Sequence, residues 1–211
     1  MHDHCEAPPP PKATTPGADR QVAAYRRVLW IVIAINFSMF LVEIVAGLMA
    51  QSVALQADAI DFFGDSFTYF ITLLVLGMSL RWRASAAIFK GVTMGIFGLW
   101  VIGNAVYNAM LGTVPTAVIM GSVGFAALIA NVVSAAILYQ YREGDANMRS
   151  VWLCSRNDAI SNVAVICAGL AVGITATGWP DYGVAAIMAF LELSACYQIL
   201  KRAFGELKAA P

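Results

Sequence analysis

Four side chains able to hold a metal ion sit in stretches otherwise suited to lipid: Asp61 and Asp65 in one, Cys154 and Asp158 in another. Within each pair the spacing is i, i+4. On an α-helix this spacing turns both side chains to one face, roughly 40° apart and about 6 Å along the axis, so each helix carries a two-ligand stripe. Two such stripes facing each other make a four-ligand cage. An ionised carboxylate in hydrocarbon costs on the order of 3 kcal/mol even on the mildest insertion scale, so a chain that keeps several there must use or neutralise them. Three carboxylates and a thiolate suit tetrahedral Zn²⁺, with Cd²⁺ favoured by the sulfur, whereas Mg²⁺ and Ca²⁺ prefer six or more oxygens. These ligands bind deprotonated, so metal binding releases protons and returning protons eject the metal. The pattern implies a divalent-cation pathway coupled to proton movement.

Other polar residues in the apolar runs fall around this quartet. Asp58, Asp61 and Asp65 follow i, i+3, i+7 and share one helix face, opposite Phe62, Phe63, Phe67 and Phe70. Asp58 reads either as an accessory, proton-linked acid or as a hydrogen-bonded carboxyl of the bundle. Ser161 falls on the second stripe with Cys154 and Asp158 and Asn157 borders it, both as candidate accessory or proton-linked residues. Glu43, with Asn36, either lines a water path or makes a structural hydrogen bond. Glu192 and Cys196 read as packing or helix-contact residues, and Gly64 as a point of close helix contact. Lys90 and Arg156 lie near enough to helix ends to snorkel, leaving the acids without a basic partner at mid-membrane. His2, His4 and Cys5 are weighted below the quartet, because ordering a floppy terminal arm is entropically unfavourable.

Positioning these residues requires long apolar elements, and the composition supplies them. Of 211 residues 60% are hydrophobic and only 12% charged, with mean hydropathy +0.72; a soluble domain carries about twice that charged fraction. Six continuous apolar runs, Val28–Met49, Val53–Leu80, Ala84–Met110, Thr116–Tyr139, Ser150–Thr175 and Tyr182–Ala203, are each long enough to cross roughly 30 Å of hydrocarbon as a helix. They lack the alternation of a β-barrel. The predicted fold class is therefore an all-α membrane protein, a six-transmembrane-helix bundle. The 13 Lys and Arg residues flank the first run, the second and fourth connections and the last run, while connections one, three and five carry none. This alternation predicts both termini in the cytoplasm. The predicted organisation is a disordered, Pro-rich arm over 1–25, a transmembrane unit over 26–205 and a short tail over 206–211, too short for a soluble domain. The four cysteines imply no disulfide framework. Gly91/Gly95 and Gly169/Gly173 are GxxxG pairs suited to helix contact, and Asn104 and Asn131 are expected to hydrogen-bond across helices.

From Arg27 to Phe204 the chain resembles the cation diffusion facilitator family of divalent-metal transporters. The most specific stretch is Gly47 with Gln51–Ser52–Val53–Ala54–Leu55–Gln56–Ala57–Asp58–Ala59–Ile60–Asp61–Phe62–Phe63–Gly64–Asp65–Ser66. It is similar to the family's motif at the start of its second helix, in which Asp or His is followed four residues later by Asp. The corresponding fifth-helix motif falls on Cys154 and Asp158, where the cysteine departs from the usual His or Asp. The resemblance implies a homodimer with one transport site per protomer, and export of Zn²⁺ or a related ion from the cytoplasm in exchange for H⁺. It also implies a cytoplasmic metal-binding domain after the sixth helix, which this sequence is too short to carry, so dimerisation is expected to rest on the transmembrane helices.

The expected partners are thus divalent metal ions, protons, the lipid bilayer and a second copy of the chain, with no nucleic acid. No resident cofactor is expected, since the Zn²⁺ or Cd²⁺ is cargo. The expected location is the inner cell membrane. Two other classes are compatible with intramembrane acids. An aspartyl protease using Asp65 and Asp158 leaves Cys154 and the extra acids without a role, so no enzymatic activity is expected. The alternative is a metal sensor or assembly subunit that binds without transport, which a flux measurement separates from a transporter.

Overall fold

The computed structural model describes residues 18–74, 80–141 and 146–209. Six α-helices follow in order: α1 (Ala18–Ala50), α2 (Val53–Leu74), α3 (Leu80–Leu111), α4 (Ala117–Leu138), α5 (Ala146–Thr175) and α6 (Trp179–Ala209), with one 3₁₀ turn at Tyr139–Tyr141 after α4. No strand occurs among the described residues. Five of the helices contain stretches long and apolar enough to cross a membrane: Ala23–Ala50, Ala84–Leu111, Ala117–Leu138, Ser155–Thr175 and Trp179–Gly205. α2 is 22 residues long and carries the three aspartates. Outward-facing Leu41, Val45, Leu48, Phe89, Ile96, Phe125, Leu170 and Phe190 leave a broad apolar surface, as lipid-facing helices require.

Several boundaries differ from those the apolar runs suggest. α1 begins at Ala18, so the last eight residues of the predicted 1–25 arm are helical. The reason is local: prolines stop at Pro16, and Ala, Arg and Gln beyond Gly17 are good helix formers. Residues 1–17, with His2, His4 and Cys5, lie outside the described residues. Leu80, predicted to close the second run, instead opens α3. The connection between the fifth and sixth runs is shorter than their predicted bounds suggest, because α6 starts at Trp179 rather than Tyr182. Pro180 falls in its first turn, where a missing N–H is tolerated.

α2 is the hub. It contacts α1, α3, α5 and α6, while α3 packs along α6 and α4 along α5. Every residue from Ser52 to Ile60 is buried, so the first turns of α2 are enclosed on all sides rather than along one stripe. Small residues permit the close approaches. A Cβ on Gly47 would lie 2.9 Å from Gln56 Cγ, on Gly91 2.9 Å from Leu200 Cγ, and on Gly169 3.0 Å from Met120 Cβ. Both predicted GxxxG pairs therefore mark helix contacts, α3 against α6 and α4 against α5. Gly64 does not: nothing lies within 4 Å of a Cβ built there. It borders a groove between α2 and α3 lined by Ile60, Phe63, Phe67, Phe89 and Thr93.

One end of the bundle is tied by hydrogen bonds between its three short connections. α1 closes in a Schellman arrangement, with Gln51 left-handed at φ 54° and Ser52 N–H donating to Gly47 O at 2.9 Å. Ser52 then caps α2, its Oγ accepting from Leu55 N–H at 3.1 Å. The carboxylate of Asp181, in the first turn of α6, accepts from Ser52 Oγ at 2.6 Å, Val53 N–H at 2.8 Å and Ala54 N–H at 3.1 Å. An anion at a helix N-terminus satisfies orphan donors and complements the helix dipole. Tyr182 O–H donates to Asn108 O and Thr113 O, and Thr116 N–H donates to Ala50 O. The start of α2 is therefore fixed to α6, and α1 and α6 are in turn fixed to the end of α3 and the α3–α4 connection.

Candidate metal centre

Along α2 the apolar packing has a gap. One cluster of buried apolar residues includes Val53, Ala54, Leu55, Ala57 and Ile60, and a second takes up α2 again at Tyr69 and Leu73. Asp61 and Asp65 lie between them. The register is set at the capped end: Gln56 Nε2 donates to Ser52 O at 3.0 Å and Gly47 O at 3.3 Å, while its Oε1 accepts from Asn104 Nδ2 at 2.8 Å. Asn104 thus hydrogen-bonds across helices as expected. Asp61 and Asp65 follow Gln56 at known helical intervals, so this network indirectly aims their side chains.

Each aspartate of α2 meets an acid from a different helix. Asp58 faces Glu43 of α1, Asp61 faces Glu192 of α6 and Asp65 faces Asp158 of α5, each close enough to act on its partner. Two carboxyl groups brought close in a poorly hydrated interior favour sharing a proton or a cation over carrying two negative charges. The three pairs form a ladder along α2, since Asp158 and Glu43 also act electrostatically on Asp61. Exposure separates the rungs. Asp61, Asp65 and Asp158 are half-buried, whereas Glu43, Asp58 and Glu192 are buried. Neither oxygen of Glu43 finds a donor among the described residues.

Tyr69, fully buried one turn beyond Asp65, donates its O–H to Asp65 Oδ2 at 2.6 Å. Its position at i+4 from Asp65 is a signal the sequence contains, though a tyrosine in an apolar run reads as packing. Glu192, expected to pack, is instead the partner of Asp61. Cys196 does behave as a helix contact, donating its S–H to Gly91 O at 3.0 Å.

The predicted second stripe is divided. Asp158 is brought to Asp65. Asn157 is exposed and its Oδ1 accepts from Arg156 at 3.2 Å, because a residue adjacent to Asp158 is turned about 100° round the helix and points away from the acid ladder. Ser161 is half-buried on α5. Cys154 belongs to α5 one turn before Asp158, and its side chain lies outside the described residues. Among the described residues, no three His, Cys, Asp or Glu side chains converge as a metal-binding group; the acids meet in twos. Arg156 lies exposed over the Trp152 ring, 5.3 Å from its centroid. Lys90 does not snorkel away: it donates from Nζ to Thr68 Oγ1 of α2, and its charge acts on Asp65 and Glu192.

Residues 29–207 match the family model described as the cation efflux transmembrane domain. The chain belongs to the cation efflux family. It is a multi-pass membrane protein. Similar proteins include the cadmium, cobalt and zinc/H(+)-K(+) antiporter of Bacillus subtilis (strain 168), 22% identical over 88% of this chain and 64% of the relative. The metal cation efflux system protein CzcD of Cupriavidus metallidurans is 22% identical over 86% of this chain and 61% of its own length. The zinc transporter ZitB of Escherichia coli (strain K12) is 25% identical over 86% and 62%. The chain thus spans just over three-fifths of the length of these relatives.

Proposed function

We propose that this chain forms the membrane pathway of a secondary transporter that exports a divalent cation, Zn²⁺ or Cd²⁺, from the cytoplasm in exchange for protons. The observation that carries this reading is the Asp65–Asp158 pair, which joins α2 to α5 where a stripe of ligands on each helix was expected. Asp61, Asp65, Asp158 and Cys154 are the proposed ligands, and the half-buried state of the three aspartates supports access for an ion. Six crossings with both termini in the cytoplasm, and a homodimer joined through transmembrane helices, complete the proposal.

The exchange follows from the chemistry of close acid pairs. A divalent ion binding between Asp65 and Asp158 expels the proton they share, and a proton arriving from the opposite side loosens the ion. Apparent metal affinity therefore falls as pH falls, which makes an inward proton gradient a driving force for export. Glu43 and Asp58, buried and off the proposed ligand set, suit a role as proton carriers. Alternating access around the ladder converts this competition into transport.

Purified protein in liposomes, with a trapped metal dye and an imposed pH gradient, tests the reading. Zn²⁺- or Cd²⁺-dependent proton flux is expected, falling more than about 100-fold in Asp65→Ala and Asp158→Ala, since even outer partners of metal ligands are worth 10–100-fold. Metal binding without any flux would instead identify a sensor or assembly subunit.

A further inference from the structure

Among the described residues, one cation of the protein's own acts on the ladder of acids. Lys90 lies on α3, beside Gly91, whose missing side chain lets α3 press against Leu200 of α6. That contact fixes the lysine backbone, and the side chain crosses to α2, where Nζ donates to Thr68 Oγ1. Thr68 is prepared for this: its hydroxyl proton is committed to Gly64 O at 2.6 Å, so its lone pairs are presented to the ammonium. Thr68 stands three residues from Asp65, on a neighbouring part of the same helix surface. The ammonium is thereby held near Asp65, and its charge acts on Asp65 of one carboxyl pair and on Glu192 of another, on α2 and α6.

We infer that the Lys90 ammonium, held near Asp65 by Thr68, is the resident counter-ion of the metal-free site, and that a divalent cation engaging Asp65 must bind against its repulsion. The inference rests on the proposed ligand role of Asp65. Its physical basis is that a fixed positive charge beside an acid partly neutralises it, while a monovalent and a divalent cation held at short range in a poorly screened interior repel each other. Lys90 therefore lowers metal affinity and favours release, so that the ion is not trapped in a site of six acids. It is a positioning and affinity-setting residue, not a ligand.

Equilibrium binding of Zn²⁺ and Cd²⁺ to the purified, detergent-solubilised chain gives the test. Lys90→Met keeps most of the length of the side chain and removes its charge; affinity for both ions is expected to tighten by about tenfold or more, with slower turnover in liposomes. Lys90→Arg is expected to stay within about threefold of wild type. Thr68→Val removes the hydroxyl that holds the ammonium near Asp65 and keeps the charge, and a smaller tightening is expected. Damage to the fold weakens binding, so tightening separates the charge effect from a structural one. Unchanged or weaker binding in Lys90→Met, or in Thr68→Val alongside a Lys90→Met chain that does not fold, overturns the inference while the ligand assignment stands. A wild-type chain that binds neither ion overturns both.

Discussion

A sulfur among carboxylates discriminates between ions by softness, and Cys154 is the residue through which this chain would do so. It precedes Asp158 by one helical turn, and with Asp61 and Asp65 it would complete a mixed oxygen and sulfur set. Cys154→Ser is expected to weaken Cd²⁺ binding about tenfold or more while leaving Mn²⁺ within about threefold, because Mn²⁺ gains little from thiolate. Competition binding measures this, and equal losses for the two ions would remove the thiolate from the ligand set. At this scale the sequence was informative where acids stood out from apolar surroundings, as with Asp61, Asp65 and Asp158. It was less so for Glu192 and Lys90. An isolated glutamate in an apolar helix and a lysine near a helix end each have ordinary explanations, and only the packing of α3 and α6 against α2 turns both toward the aspartates.

Among the elements, α2 is the one whose placement matters most, and much of its motif serves placement rather than ligation. Ser52 caps it, Gln56 ties it to α1 and α3, and Asp181 of α6 holds its first turn. Asp181→Ala leaves the buried N–H groups of Val53 and Ala54 without their acceptor, a loss on the order of 3 kcal/mol. A lower melting temperature in detergent is expected, together with reduced flux, since the aspartates lie two to three turns downstream. Asp181→Asn is expected to recover part of the loss, because an amide oxygen still accepts. An Asp181→Ala chain as stable as wild type would show that the cap does not position α2. The motif's Ser and Gln could be read from sequence as a helix start; the partner of Ser52, 129 residues away in sequence, could not.

For the whole molecule, the proposed six crossings place the α1–α2, α3–α4 and α5–α6 connections together on the outer face, which agrees with the hydrogen bonds that join them at one end of the bundle. In chains otherwise free of cysteine, Thr113→Cys and Thr177→Cys are expected to react with a membrane-impermeant thiol reagent from the outside, while an N-terminal tag is digested only from the inside. Reaction of the two cysteines from opposite sides would break the six-span arrangement. By itself, the sequence determined that the chain is a helical membrane protein and which aspartates share a helical face, because hydropathy and residue spacing are properties of single segments. Which acids meet was decided by tertiary structure alone. Asp58, Asp61 and Asp65 each pair with a different helix because α2 is enclosed by its neighbours, and the order of helices around a hub depends on the packing of small residues and buried hydrogen bonds between segments far apart in the chain.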